Sequence, residues 1–479
     1  MPTKVTLLTV LTIFALIGVL LYIMPFNLFL VSLGISTSMG LYLLFFTYFV
    51  KPSREASSYP HPSLFFVISF SLPVIFIVIT AILGTFTIIT TILLSSLTLV
   101  IFYYTFMLPL AVFHKKTKDE MEATEPLPKI SIIVPAHNEE GYIGKCIESV
   151  LENDYPADKR EVIVVDDGSS DGTYEEARTY ESRNIKVFHK KQGGKYSALN
   201  YAYNFISGEI VITIDADSLL GRTSLRRVVG IFQNNDEVAA VAGNIKLTNK
   251  GKFITNCQSL EYSLGINIFR RAMAFFGSVV VVPGALGAFR REVIESTGFF
   301  DPDTLTEDFD MTVKTLKLKS VVQSSGKAIS FTEAPETWYD LYKQRLRWNR
   351  GSFMTLFKHR DALSNTRFGF LHKLGFPLVL FSKFFGPLAR FAIIISIIAS
   401  LAFGPALETL IIIAVFLLIQ SLISLIALKI DDGDVNLVLY SPFLIMGYRT
   451  FIDIVTIKSL FDVLFSEALE WTSPKRVEQ

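Results

Sequence analysis

Two aspartates, Asp215 and Asp217, stand one residue apart at the end of Ile210 to Leu219, I-V-I-T-I-D-A-D-S-L. Such carboxylates suit a hard divalent cation, Mg2+ or Mn2+, that neutralises a phosphate-bearing ligand. An Asx-rich turn closing a strand would use the same residues. Three further stretches could complete a nucleoside diphosphate site: Pro135-Ala136-His137-Asn138-Glu139, Asp166-Asp167-Gly168-Ser169 and Gln192-Gly193-Gly194-Lys195. Carboxylates there can accept from a base N–H or from ribose hydroxyls, and Lys195 at a glycine-rich helix start can meet phosphate charge. The competing roles are turns, caps and a solvated lysine. His137 reads as structural or base-packing, since no second histidine is spaced to make it a metal ligand.

Two later stretches add acid–base and acceptor chemistry. Thr306-Glu307-Asp308 opens a helix, with Thr306 placed to cap it and its acids favoured in the first turn. Beyond capping, Asp308 can act as a general base on an acceptor hydroxyl, with Glu307 beside it. Gln344, Arg347 and Trp348 fall at i, i+3 and i+4 and so share one helix face. Arg347 can clamp a diphosphate, Trp348 can offer an apolar plane to a sugar, and Gln344 can donate to either. A membrane-interface Trp and Arg on an amphipathic helix is the plainer alternative.

The elements that must hold these groups alternate strand and helix from Pro128 onward, which predicts a mainly parallel sheet. Strands are expected at Ile130 to Val134, Glu161 to Val165, Ile185 to His189 and Ile210 to Ile214. Helices are expected over Glu139 to Leu151, around Ala198 to Asn200, up to about Leu318, and over Glu336 to Phe357. Ligands of such sheets collect beyond the carboxyl ends of the strands, where these motifs lie.

The flanks have a different composition. Of 479 residues 51% are apolar, with 41 phenylalanines, and the excess sits at both ends. Val5 to Met24, Phe26 to Val50, Leu64 to Leu83 and Thr85 to Phe113 read as four spans. Lys4, the Lys51/Arg54 loop and Lys115-Lys116-Thr117-Lys118 then share the cytoplasmic side. At the other end, Phe368 to Pro387 carries His372, Lys373 and Lys383 and reads as an interfacial helix. Leu388 to Phe403 and Thr409 to Leu428 read as a span pair, with Arg390 snorkelling. Val435 to Phe465 contains Arg449, Asp453 and Lys458, which should face a protein interior or a polar cavity. That segment reads as re-entrant or interfacial, with a full span as the alternative. The expected organisation is therefore a membrane block (1–114), a cytoplasmic α/β domain (128–363) and a second membrane block (366–479). A net charge of +1 gives no case for nucleic acid. Cys146 and Cys257 suggest neither a disulfide framework nor a zinc site.

In this order, P-A-H-N-E, V-D-D-G-S-S-D-G-T, G-G-K-Y-S-A-L-N, D-A-D, T-E-D and Q-R-L-R-W-N-R-G resemble the membrane-embedded processive family 2 glycosyltransferases. That branch makes cellulose, chitin, hyaluronan and poly-N-acetylglucosamine. The resemblance spans about Pro128 to Leu363 and implies a GT-A-type, Rossmann-like domain in the plasma membrane. It implies that Asp167 and Pro135 to Glu139, with His137 among them, hold the uridine of a UDP-sugar, supported by Lys195. Asp215 and Asp217 would bind the diphosphate, Asp217 with Mg2+ or Mn2+. Asp308 would be the base, and Gln344, Arg347 and Trp348 would bind pyrophosphate and the acceptor sugar. Val282 to Arg291, with Gly284 and Ala285, resembles the acceptor-side loop. Pro283 and Phe289 depart from that loop's usual Ser and Tyr, which leaves the sugar open, and the A-F-R-R ending leans toward N-acetylglucosamine. The implied acceptor is a growing glycan, or alternatively a lipid or lipid-phosphate acceptor in a non-processive transfer.

Overall fold

A computed structural model describes residues 88–119, 121–403 and 406–465, with isolated positions 39, 68, 71 and 78. Those isolated positions apart, the first three expected spans lie outside the described residues. The stretch expected as the fourth is helical, α1 (Ile88–Lys118), and ends in Lys115, Lys116 and Lys118.

The central sheet runs through β1 (Ile130–Ala136), β2 (Arg160–Asp166), β3 (Ile185–His189), β4 (Ile210–Thr213), β5 (Leu219–Leu220), β6 (Val238–Leu247), β7 (Gly287–Arg290) and β8 (Val321–Thr332). Its order is β3-β2-β1-β4-β7-β6-β8-β5. The half that carries the nucleotide motifs is parallel, with Ile130 beside both Arg160 and Ile210. The sheet as a whole is mixed: β7 runs antiparallel to β4 and β6, and β5 antiparallel to β8. The expectation of a mainly parallel sheet thus holds for the first half. The later strands escaped notice because β8 reads V-V-Q-S-S-G-K-A-I-S-F-T, without clean apolar alternation. Its serines find partners inside the protein instead; buried Ser330 donates from Oγ to the Ala285 carbonyl at 2.8 Å.

Both sheet faces are covered, as a parallel sheet requires. Along β1, Ile130, Ile132, Val134 and Ala136 join one core with Ile147 and Val150 of α2 (Ile143–Leu151). Ile133 joins the other, with Ala198 and Ala202 of α3 (Lys195–Tyr203) and Phe102 and Phe106 of α1. Helix α2 starts later than expected because Glu139 to Tyr142 forms a turn, with the Tyr142 N–H donating to the Glu139 carbonyl. Two further helices complete the site: α4 (Glu307–Lys317) and α5 (Trp338–Lys358).

The flanking apolar segments are fastened to this domain by buried polar contacts. Arg271 pairs with Asp119 at 2.7 Å, both almost fully buried. After α6 (Ala406–Ile430), buried Asp431 accepts from Asn244 at 3.0 Å, Ser263 at 2.8 Å and Asn267 at 3.1 Å. Two helices among the described residues are long and apolar enough to cross a membrane, Leu371–Ala399 and Ile413–Ile430. The first corrects the expected boundary at Pro387: helical structure is continuous from Leu371 to Phe403, with π turns at Leu371–Gly375 and Phe381–Phe385. The charges that suggested an interface are satisfied inward, as where Lys383 donates to Asn349 at 2.6 Å. Arg390 likewise does not snorkel; it grips Asp453 through two nitrogens. The last apolar stretch is split into Val435–Leu444 and α7 (Tyr448–Leu464) by a 54° bend. Arg449 and Asp453 face inward, as their charge demands, whereas Lys458, expected to do the same, stays 43% exposed beside Asp462.

Candidate active site

The expected site residues, from Pro135, His137, Glu139, Asp167 and Lys195 through Asp215, Asp217, Gly284 and Ala285 to Glu307, Asp308, Gln344, Arg347 and Trp348, line one cavity of about 810 Å³; Asn138, Asp166, Gly168 and Ser169 lie behind it in the loops. The end expected to take a nucleotide is built by two loops that follow β1 and β2. Asn138, at φ +56°, turns the first loop; its N–H donates to Ser169 and its side chain accepts from the Ser170 N–H, both at 2.9 Å. His137 Nδ1 lies 3.0 Å from the Asp167 carbonyl, which fits the structural role expected of it. Asp167 itself is almost fully occupied. Its carboxylate accepts from Lys190 Nζ at 2.6 Å, Gly193 N at 3.0 Å and Gly194 N at 2.7 Å. It therefore ties down the Gly193-Gly194-Lys195 turn that opens α3. Gly194 has φ +90°, where a side chain would be strained.

That turn delivers Lys195 to the centre. Its ammonium lies 2.6 Å from Asp215 Oδ1 and 3.0 Å from Glu307 Oε1. Burial alone would depress this lysine, but Asp215, Glu307 and Asp308 together lift it well above its usual range, so it stays cationic. Lys195 thus bridges the D-A-D pair to the T-E-D acids. Gly284 passes so close that a Cβ there would sit 2.3 Å from Lys195 Nζ and 2.9 Å from Asp215 Oδ1. The segment expected on the acceptor side therefore also walls the Lys195–Asp215 pair.

Asp308 stands in the first turn of α4. Burial, and next the charge of Glu307, push its carboxyl up to about 6. This is the regime of a general base working near neutrality. Thr306 occupies the N-cap position without a capping bond from its side chain, which faces Thr355 instead. The closing glycine of Q-R-L-R-W-N-R-G explains the contact between α4 and α5: a Cβ on Gly351 would meet Thr306 at 2.6 Å.

Gln344, Arg347 and Trp348 line the same cavity from α5. The Trp348 ring lies against Tyr262, with centroids 6.4 Å apart, and the Arg345 guanidinium sits 4.5 Å from its centroid. Sequence reading passed over Arg345, whose partners are remote: it donates to Glu261, which also accepts from the Tyr448 hydroxyl at 2.6 Å. Lys383 and Arg449 line the cavity too; the warning for them was ionisable residues inside apolar segments.

Asp215 and Asp217 offer hard oxygen donors in an open cavity, which fits Mg2+ or Mn2+. Among the described residues, the acidic trio Asp301, Asp303 and Asp310 looks like a cation site but surrounds Lys358, which contacts all three.

The profile of Glycosyl transferase family 2 matches residues 131–298. The chain carries a family 2 glycosyl transferase domain. It is 30% identical over 258 residues to a probable glycosyltransferase, YdaM, of Bacillus subtilis, covering 51% of this chain and 60% of the relative. It is 27% identical over 258 residues to a poly-beta-1,6-N-acetyl-D-glucosamine synthase of Staphylococcus epidermidis, covering 53% and 60%. The chain thus spans about 60% of the length of the curated relatives it matches. A mannosyltransferase from Pyrobaculum calidifontis, solved with GDP-Man and Mn2+, superposes at TM-score 0.57 with 22% identity, over 79% of this chain and 100% of that one. This likeness shows the mixed α/β, GT-A-type fold of the glycosyl transferase domain.

Proposed function

We propose that the protein is a membrane-integrated, inverting β-glycosyltransferase that elongates, and passes through its own membrane helices, a polysaccharide built from a UDP-sugar. The single observation that carries this reading is the juxtaposition at Lys195, one ammonium bound to both Asp215 and Glu307, with Asp308 beside them. It joins a diphosphate site to a carboxylate base within one cavity. UDP-N-acetylglucosamine is the favoured donor, supported by the names of the staphylococcal relatives.

In the transfer, Asp308 takes the proton of an acceptor hydroxyl. The freed oxygen pair attacks the anomeric carbon from the face opposite UDP, the C–O bond to UDP breaks, and the diphosphate leaves with that electron pair. Configuration inverts in one displacement, and no covalent enzyme intermediate is required. Lys195 and Arg347 meet the charge that grows on the leaving diphosphate, where preorganised cations contribute most. Asp217 and Asp215 would hold Mg2+ or Mn2+, which neutralises diphosphate charge when bound. Trp348 holds the acceptor sugar, and Gln344 and Arg347 orient the diphosphate beside it. The catalytic domain lies on the cytoplasmic side of the plasma membrane in this reading, because the basic end of α1 faces it. Incubation of the purified chain with a panel of UDP-sugars and Mg2+ or Mn2+, scoring UDP release and product length, tests the proposal. Release without any oligomer would favour transfer to a lipid acceptor instead.

A further inference from the structure

We propose that a basic pocket between the ends of α1 and α6, apart from the catalytic cavity, binds the headgroup of an anionic phospholipid. The proposal rests on the membrane-integrated reading above. The pocket holds about 470 Å³ and shares no lining residue with the catalytic cavity. Lys115 and Lys116 stand at the end of α1, Lys429 at the end of α6, and Lys327 reaches in from β8. The two helices stop at one level, because the Lys115 ammonium donates to the Lys429 and Ile430 carbonyls at 3.1 and 2.9 Å. Just before that level Ala111 of α1 packs with Ile423, Ala427 and Ile430 of α6.

Charge in this pocket does not balance. Its floor is neutral: Asp119 commits both oxygens to Arg271, and Gly326 lies so close to that guanidinium that a Cβ would run into it. At the rim Asp432 meets Lys115 at 2.5 Å and Lys327 at 3.0 Å, so one carboxylate serves two ammoniums. Asp431 is turned inward to Asn244, Ser263 and Asn267. Lys116 and Lys429 are exposed and form no ion pair among the described residues. Four ammoniums around the single carboxylate of Asp432 attract an anion from outside the chain.

The surroundings say which anion. Val112 and Ile426 carry the pocket wall along the two helices as exposed apolar surface. Ile426 belongs to Ile413–Ile430, apolar enough to cross a membrane. A soluble phosphate ester would leave that surface bare, whereas acyl chains would cover it. An anionic phospholipid fits both halves, with its phosphate between Lys116 and Lys429 and its chains along Val112 and Ile426. Basic pockets where spans meet the cytoplasmic surface suit such headgroups, which carry the negative charge of that leaflet.

The test is native mass spectrometry of the full chain ejected from nanodiscs of equal parts phosphatidylglycerol and phosphatidylcholine. Wild type should retain phosphatidylglycerol over phosphatidylcholine by about 25-fold, roughly fivefold for each unpaired lysine. Lys116→Gln with Lys429→Gln should bring the two lipids near parity, and Lys116→Arg with Lys429→Arg should keep the preference. Equal retention by wild type overturns the proposal without reference to any variant's folding. So does an unchanged preference in the double glutamine variant. Lys159→Gln with Lys186→Gln removes the same charge from exposed positions of the glycosyl transferase domain. An equal loss there would assign the preference to net charge and overturn the site. Soluble glycerophosphoglycerol displacing the lipid at equal concentration would assign the pocket to a free phosphate ester, against the proposal. A chain that stays in solution without nanodiscs or detergent contradicts the membrane reading and this site with it. The readout needs no turnover, so a chain that keeps the lipid preference but releases no UDP refutes the transferase reading alone.

Discussion

In the proposed transfer Asp308 is the reacting group, and its behaviour with pH follows from its surroundings. The base works as the carboxylate, and burial with the neighbouring Glu307 charge holds its carboxyl at about 6. Activity should therefore be level above that pH and fall as pH drops through it. Glu307→Gln removes a neighbouring negative charge, so the acid limb of kcat/KM should move to lower pH. The two acids interact, so the limb belongs to the pair. A pH–rate profile in which the limb stays put or rises would contradict the assignment. Gly284→Ala makes a steric prediction: a Cβ 2.3 Å from Lys195 Nζ and 2.9 Å from Asp215 Oδ1 must displace the lysine tip from its place beside Asp215. UDP-sugar affinity should fall about tenfold, as expected for one lost charge-assisted contact to phosphate; calorimetry measures it. At this scale the sequence was highly legible. Asp215, Asp308, Arg347 and Trp348 each announce themselves by type, by spacing and by a place at a strand end or on a helix face. Asp167 was legible as important but not in its local task, because the three donors that fill its carboxylate come from Lys190, Gly193 and Gly194 on another loop.

Between elements, the contact that matters most is the one between α4 and α5, where Gly351 lets the second helix press on Thr306, two residues before Asp308. In Gly351→Ala the new methyl must push that turn aside, at a cost of about 1–3 kcal/mol for overpacking. Because the base moves with the turn, kcat should fall by up to about 100-fold, the effect of a roughly 1 Å misplacement. Thermal unfolding together with steady-state kinetics checks both; full kcat with unchanged Tm would contradict the packing account. The parallel strands and the two site helices could be read from their periodicity, to within a few residues at their ends. Strand β8 could not, because its serines and Gln323 interrupt the alternation, and the serines find partners only in the folded chain. The continuity of Leu371–Phe403 was hidden for a related reason: Lys383 looks like an interfacial charge until Asn349 is seen beside it.

Across the whole molecule, polar contacts join the flanking apolar helices to the glycosyl transferase domain. Asp453 is almost fully buried between Arg390 and Arg449. Asp453→Asn should destabilise the chain by about 3–5 kcal/mol, the cost of leaving buried charge uncompensated. Adding Arg390→Met should recover part of that loss, and unfolding in detergent reads both. The sequence told that such residues face inward, but not which ones meet, since Arg390 and Asp453 are 63 positions apart. The central claim is that one cavity brings a diphosphate site and a general base to the same sugar. It is tested most directly by pairing UDP-sugar calorimetry with UDP release for wild type and Asp308→Asn. The account predicts that the variant binds donor with nearly wild-type affinity while release in the presence of acceptor falls about 100-fold or more, the worth of a positioned base. Unchanged release from the variant, or lost donor affinity in a folded variant, would contradict it.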